Sequence, residues 1–118
     1  MKTAKPVLSA MDLQFLSGRI ASLSRIDDLA FVFETAASGV RLRLLALVLA
    51  NGELRIRDLS TITGLSPMEV ADHLSHLTRA ELVEHGTEDD GTIYRAGNHP
   101  LIEWLQSHLA DECESLRS

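Results

Sequence analysis

The sequence lacks several features that would place it outside the cell or in a membrane. Its only cysteine, Cys113, cannot form an internal disulfide, which agrees with a reducing compartment. The longest mainly apolar run, Leu42 to Ala50, has nine residues and is too short to span a bilayer. Behind the basic start at residues 1–6, Asp12 and Gln14 interrupt the apolar core that a signal peptide needs. We therefore expect a cytoplasmic protein with no membrane partner.

The motifs of common enzymes are also missing. The chain has no glycine-rich phosphate loop, no nucleophile with a base at a recognisable spacing, and no carboxylate pair in an apolar setting. We expect neither an enzyme nor a bound cofactor. There is no repeat or low-complexity tract, and a composition of 45% hydrophobic and 24% charged residues is ordinary for globular proteins. The 118 residues therefore predict one domain.

The segment around Gly64 has the local chemistry of a turn between two helices. A helix that ends at Thr63 can close on Gly64, because glycine reaches the left-handed conformation without strain. Ser66 is placed to cap the next helix, Pro67 suits its first position, and Glu69 completes a capping box. This spacing predicts a helix-turn-helix.

The second helix of this motif has two distinct faces. Val70, Leu74 and Leu77 follow at helical spacing and should turn inward. The opposite face is the one that a helix-turn-helix offers to the major groove of DNA. Its residues are Met68, Glu69, Ala71, Asp72 and Ser75.

The surrounding pattern predicts a mainly α (α+β) winged helix-turn-helix with extra helices at both ends. Residues 9–23 and 26–37 have the apolar stripes of two amphipathic helices, and the helix at 40–50 should be the buried centre. A short strand at 53–55 is expected to pair with hairpin arms at 82–85 and 92–96, with the hairpin tip at Asp90-Gly91. The predicted parts are N-terminal helices at 9–37, a winged core at 40–97 and a C-terminal dimerisation helix at 98–118, beginning at Pro100.

The terminal helices predict a homodimer. They carry more apolar surface than a winged core of about 60 residues can cover, because small domains bury a limited fraction of their chain. The alternative is that both helices fold back on their own core. The residues expected at the dimer interface are Phe15, Leu16, Leu101, Trp104, Leu105, His108 and Leu109.

Several segments together resemble one family. They are VRLRLLAL at 40–47, ELRIRDL at 53–59, GLSPMEVADHLSHL at 64–77, and the AELVEHG and TIYR segments that follow. In these segments the chain resembles the ArsR/SmtB family of bacterial transcriptional repressors. The resemblance implies a dimeric winged-helix protein that binds double-stranded operator DNA and releases it when a metal or an oxidant binds.

The metal sites of that family are not matched. Arsenic-type members carry cysteines where this chain has Arg55 and Arg57, and guanidinium groups cannot bind soft metals. Where zinc-type members have their terminal-helix ligands, the nearest residues are Asn98 and Pro100, then Asp111 and Glu114. The last two could still hold a hard ion. His73 and His76 have a spacing that can hold zinc on a helix, but no third ligand is near. We expect no metal site.

The excess of acidic residues is unfavourable for DNA binding. Phosphate contacts need Lys or Arg. The wing at 84–95 has Glu84, Glu88, Asp89 and Asp90 against Arg95 alone, a balance of minus three, and the whole chain has a net charge of −6.

Against this acidity stands a basic band whose members could clamp phosphates. Its members are Arg41, Arg43, Arg55 and Arg57, and Arg79 ends the second helix of the motif. Ser66, Met68 and Ser75 would then read base edges, and Glu69 or Asp72 could accept from cytosine amino groups. Alternatively, the arginines form surface ion pairs, for example Arg57 with Glu53.

Two functions follow from these observations. The first is a dimeric DNA-binding transcriptional regulator of ArsR type that lacks the cysteine metal site. The alternative is a winged-helix module that has lost DNA binding and contacts a protein partner. Its docking surface would be the acidic wing together with Glu69 and Asp72.

Overall fold

The computed structural model describes residues 8–89 and 91–118. It contains two compact units, one ending at Ala30 and the other running from Phe31 to Ser118. The basic start at 1–6 and the predicted hairpin-tip residue Asp90 lie outside the described residues. The elements are α1 (Ala10–Ala21), α2 (Ser24–Ala36), α3 (Gly39–Asn51), β1 (Glu53–Arg55), α4 (Ile56–Thr63), α5 (Pro67–Arg79), β2 (Val83–Glu88), β3 (Gly91–Ala96), α6 (Leu101–His108) and α7 (Ala110–Leu116).

The first unit contains α1, and the boundary between the units falls within α2. Ser9 caps α1 by accepting a hydrogen bond from the Asp12 amide, and the Asp12 carboxylate accepts one from the Ser9 amide. None of the α1 residues is buried. The two N-terminal helices predicted from the apolar stripes are confirmed in their positions to within a few residues.

Helix α3 is the centre of the second unit, as its sequence predicts. Residues 44–48 are all buried, and Leu44, Leu45 and Val48 have no exposed surface. Leu44, Leu45 and Leu47 pack in one cluster with Leu59 of α4 and with the inward face of α5. Burying each leucine contributes about 1.5–3 kcal/mol of hydrophobic free energy. This cluster fixes α4 and α5 against α3.

The sheet has the strand order β1-β3-β2, and all its pairs are antiparallel. Glu53 lies opposite Arg95 in the β1–β3 pair, and Glu84 lies opposite Arg95 in the β2–β3 pair. The predicted hairpin is confirmed, but its first arm extends to Glu88. The strand β1 pairs with the second arm and not with the first. The sequence of helices, strand and hairpin is that of a winged helix-turn-helix.

A close backbone contact joins the wing to the end of α5. The Gly97 amide donates to the carbonyl of Leu82 at 2.9 Å. A Cβ atom at Gly97 would overlap the carbonyl oxygen of Glu81, so only glycine fits there without movement of the chain. Glu81 itself has a positive φ of 62°. The exit from α5 is therefore held in one conformation by the strand that returns from the wing.

The C-terminal segment forms two helices, whereas the sequence predicted one. The helix begins at Leu101, one residue after the predicted Pro100, and is interrupted at Leu109, which has φ −106° and ψ 19°. Beyond this bend, Cys113 is buried with its sulfur 3.8 Å from the carbonyl of Ala46, and the Asn51 side chain donates to the carbonyl of Leu116. The prediction of one C-terminal helix was wrong, because the chain turns at Leu109 and α7 packs along α3.

Candidate nucleic-acid interface

The turn between α4 and α5 has the geometry that its sequence predicts. Gly64 ends α4 in the left-handed conformation, with φ 78° and ψ 0°, and its amide donates to the Ser60 carbonyl. The Ser66 hydroxyl accepts from the Glu69 amide at 3.1 Å, while the Glu69 carboxylate accepts from the Ser66 amide at 3.3 Å. Pro67 occupies the first helical turn. The capping box therefore defines where α5 begins.

Helix α5 buries one face and exposes the other. Val70, Leu74 and Leu77 have no exposed surface and hold the helix on the core. Met68 is 82% exposed, and the remaining predicted base-reading residues are exposed as well. These residues are Ser66, Glu69, Asp72 and Ser75. The outer face is therefore accessible, although the Ser75 hydroxyl donates to the carbonyl of Asp72 at 2.8 Å.

Arg41 connects three helices of the second unit. Its Nε donates to Nδ1 of His73 at 3.3 Å, and its terminal nitrogen donates to the Thr35 carbonyl at 3.3 Å. Thr35 lies in α2 and His73 in α5, so this side chain joins both helices to α3. The His73 Nδ1 must be unprotonated to accept this bond. A phosphate contact by Arg41 stays a prediction, and it would have to share or replace these bonds.

The arginines of the sheet are paired with the carboxylates of the wing. Arg95 donates from Nε to Glu84 at 2.8 Å and lies 3.8 Å from Glu53. The alternative interpretation of the sequence, that the arginines form surface ion pairs, gave Arg57 as an example of a partner for Glu53. The hydrogen bond to Glu84 raises the pKa of the Arg95 guanidinium. Arg55 lies 3.5 Å from Glu88. The acidity of the wing is therefore partly neutralised within the subunit.

The other members of the basic band have different surroundings. Arg43 and Arg57 are exposed near the starts of α3 and α4. Within residues 8–89 and 91–118, Arg43 makes no hydrogen bond or ion pair. Arg79 contacts Nδ1 of His76 at 2.8 Å, and His76 lies 3.8 Å from the carboxylate of Asp72. The band is thus a set of separate side chains, of which Arg43 is the least engaged.

The residues predicted at a dimer interface differ in their accessibility. Phe15 is 66% exposed, Leu16 is exposed, and Trp104, 53% exposed, stacks on exposed His108 with 3.8 Å between ring centres. Leu105, in contrast, is only 6% exposed and belongs to the core cluster of its own subunit. Leu101 and Leu109 are partly buried against the same cluster. Leu105 therefore stabilises the subunit itself, and the exposed residues are better placed for a partner.

The histidines, acids and cysteine do not form a metal cluster in the part of the chain that the structure describes. No three such side chains come together there in a way that could hold an ion. Cys113 is a free, buried thiol.

In the same described residues, no helix combines the length and the apolar character needed to cross a bilayer.

Comparison with known families agrees with this geometry. Residues 38–84 match the family described as winged helix-turn-helix DNA-binding. The chain carries a winged helix-turn-helix domain. The matched segment contains α3, β1, α4 and α5 and ends within β2. A search of curated protein sequences gave no significant match.

Solved structures of bacterial regulators have a similar fold. HlyU from Vibrio cholerae superposes with a TM-score of 0.68 at 23% identity, covering 78% of this chain and 99% of HlyU. BigR from Xylella fastidiosa, a transcriptional repressor, gives 0.67 at 19% identity, with coverages of 85% and 98%. At these identities the likeness shows the fold alone.

A third similar structure has a higher sequence identity. It is the homodimeric winged helix-turn-helix DNA-binding domain of Mb0332 from Mycobacterium bovis, a possible ArsR-family transcriptional regulator. The TM-score is 0.67 at 27% identity, and the alignment covers 79% of this chain and 85% of that one. The winged-helix fold predicted from the sequence is confirmed by these comparisons.

Sequence reasoning missed two features of this surface. One is the hydrogen bond between Arg41 and His73, which joins two helices. These two residues are 32 positions apart in the chain. The other is an apolar groove beside Arg43, formed by α3, the end of α4 and α7. No local motif marks either feature, because both depend on how distant helices pack.

Proposed function

We propose that this protein is a dimeric transcriptional regulator of ArsR type that binds operator DNA in the cytoplasm and lacks the cysteine metal site of its arsenic-sensing relatives. The observation that carries the proposal is the helix-turn-helix of α4 and α5, with its exposed outer face and its match to a DNA-binding family. Mb0332, which is homodimeric and DNA-binding, supports both the dimer and the partner.

In this proposal, α5 enters the major groove and reads base edges with its exposed residues. Met68 offers an apolar contact to a thymine methyl group, and the Ser66 and Ser75 hydroxyls offer hydrogen bonds. Glu69 or Asp72 accepts from a cytosine amino group. The carboxylate of Glu69 is shared with the capping box, so Asp72 is the freer of the two.

Arg43 and Arg57 are the proposed first contacts to the phosphates. Both are exposed, and they stand close to the N-termini of α3 and α4, whose amide groups favour anions. Arg55 and Arg95 can contact phosphates as well only by exchanging a wing carboxylate for a phosphate. The exchange lowers the net gain, so binding should be weak and should decrease steeply with salt.

Fluorescence anisotropy of a labelled duplex from upstream of the protein's own gene tests this mode of binding. The wild type is compared with an Arg43→Ala/Arg57→Ala variant and with an Arg19→Ala/Arg117→Ala control that has the same net charge. We expect the test variant to bind more weakly and the slope of log K against log salt to fall by about one per lost phosphate contact. The control should change little.

An equal loss in both double variants would show that only net charge matters, and would contradict the assigned phosphate contacts. No binding to specific or random duplex at low salt would reject the DNA-binding proposal. The second candidate, a winged-helix module for a protein partner, would then be favoured. It is supported by the engagement of Arg41, Arg55 and Arg95 with the protein's own acceptors.

The proposed dimer is tested on α1, because its apolar residues are exposed while Leu105 is part of the core. We expect Phe15→Glu/Ile20→Glu to convert dimers to monomers, because two carboxylates would be desolvated in the interface. The mass is measured by light scattering. Gln14→Glu, on the opposite side of the same helix, should leave the dimer intact. An unchanged mass for the double variant would show that α1 is not the interface.

A further inference from the structure

We propose that the groove beside Arg43 binds a large apolar amino acid in its zwitterionic form. The groove lies entirely within the second unit and has a volume of about 680 Å³. This is within the range of about 300–1,000 Å³ that is usual for small-molecule sites. Its apolar walls come from α3, from the end of α4 and from α7. The residues that form these walls are Leu42, Ala46, Leu47, Ile62, Leu109 and Leu116.

The apolar walls include two residues that are poorly covered in the subunit. Ile62 at the end of α4 is 55% exposed, and Leu116 at the end of α7 is 39% exposed. An apolar side chain lying between them would remove this surface from water, at roughly 25 cal/mol per Å². A ligand with an aromatic or long aliphatic side chain therefore fits the groove better than a small polar one.

The polar groups of the groove select the head of the ligand. Arg43 and Glu112 both line the groove, and neither makes a hydrogen bond or an ion pair within the described part of the chain. The guanidinium of Arg43 lies over Gly39, with a terminal nitrogen 3.0 Å from where a Cβ atom would be, which places it at the wall of the groove. The site therefore presents one cation and one anion that do not neutralise each other directly.

The other polar groups in the groove are already engaged. The Thr63 hydroxyl donates to the carbonyl of Leu59 at 2.6 Å, and the Ser115 hydroxyl donates to that of Asp111 at 3.2 Å. The donors of both hydroxyls are therefore used, and Arg43 and Glu112 are the charged side chains of the groove that the ligand head must match. A carboxylate next to an ammonium group on an apolar body satisfies both, since each charge gains a charge-assisted hydrogen bond. That combination is an apolar α-amino acid.

Occupation of the groove should weaken DNA binding, a consequence that rests on the proposed function. Arg43 is one of the two proposed phosphate contacts, and a ligand carboxylate would compete with phosphate for its guanidinium. Ile62 and Thr63 end the first helix of the helix-turn-helix, next to the Gly64 turn. Ligand and operator would then each reduce the affinity for the other by the same factor.

Isothermal calorimetry of the full chain without DNA tests the site. The probe is L-phenylalanine, and the comparison ligands are 3-phenylpropionate, which lacks the ammonium group, and phenethylamine, which lacks the carboxylate. We expect phenylalanine to bind. The affinity of each comparison ligand should be lower by about tenfold or more, because each loses one charged contact. Arg43→Ala and Glu112→Gln should each weaken phenylalanine binding by a similar factor. Arg117→Ala and Glu114→Gln, which change equal charges outside the groove, should not.

Several results would overturn the proposal. One is no heat with phenylalanine, leucine or tryptophan in a protein with normal circular dichroism. Another is equal affinity for 3-phenylpropionate with no effect of Glu112→Gln, which would assign the site to simple carboxylates. Conversion of dimers to monomers by Ile62→Glu would assign the groove to a second copy of the chain. Because calorimetry uses no DNA, a failure to bind operator leaves this result unaffected, and the two proposals can fail separately.

Discussion

Helices α1 and α5 begin with the same kind of cap but differ in how much of their surface is buried. Each is preceded by a serine in a capping box, Ser9 with Asp12 in α1 and Ser66 with Glu69 in α5. They have 12 and 13 residues, yet α1 has no buried residue while α5 buries three. A cap defines where a helix starts, but tertiary packing supplies most of the free energy that keeps it folded. The outward face of α5 is therefore defined by packing within its own subunit, whereas in the proposed dimer the apolar residues of α1 would be covered by a partner.

The largest difference between the two helices should appear in their apolar residues. Leu74→Ala leaves a cavity in a site with no exposed surface, so we expect a loss of about 2–5 kcal/mol in the free energy of unfolding at every protein concentration. Phe15→Ala removes an exposed side chain and should cost stability only at concentrations where the dimer forms. Urea denaturation over a hundredfold concentration range measures both. A concentration-independent loss for Phe15→Ala would show that this residue supports its own subunit.

The caps should have smaller effects, which also differ between the helices. Ser66→Ala removes the side-chain acceptor of the Glu69 amide, and we expect a loss of about 1 kcal/mol in the unfolding free energy. Ser9→Ala should instead increase amide exchange in the first turn of α1 and leave the urea midpoint unchanged under monomeric conditions. Thr in place of either serine is the matched control, since it retains the hydroxyl. Equal shifts in the midpoint would contradict the contrast between the helices.

The smallest expected effect is in the titration of Asp12. Hydrogen bonds from the Ser9 backbone and side chain lower the pKa of this carboxyl below its usual value of 3.8. Because the folded-state pKa is depressed, the cap contributes fully above pH 3.8 and is lost as the pH falls through the lowered pKa. The carboxyl carbon shift of Asp12 should titrate below pH 3.8, and Ser9→Ala should raise the midpoint. A midpoint that the variant does not change would show that the Ser9 hydroxyl does not act on this carboxyl in solution.

The sequence predicts the elements whose signals are local. Ser66, Pro67 and Glu69 lie within four residues and specify the start of α5 by themselves, and Gly64 marks the end of α4. The apolar run of α3 likewise indicates the buried centre, because the helix is apolar nearly all round after Arg43. The bend at Leu109 could not be predicted in this way. It follows from the packing of α7 along α3, which involves residues more than 60 positions apart.

The candidate site is less predictable than the fold for the same reason. The exposed face of α5 follows from helical spacing alone. The partners of the arginines do not, because Arg41 meets His73 and Arg55 meets Glu88 across more than 30 residues. In sequence these arginines form a single basic band, whereas in the structure each has its own environment. The charge available to a phosphate would therefore be set by how distant helices and strands pack together.

The contact of Gly97 with the end of α5 has a consequence for how this surface can change shape. The returning strand rests on the carbonyl of Glu81 so closely that no side chain fits between them. The end of α5 and the strand that returns from the hairpin are therefore tied at this contact, so a change in the direction of one would carry the other with it. In the proposed regulator, a signal that tilts α5 would therefore tilt the hairpin as well.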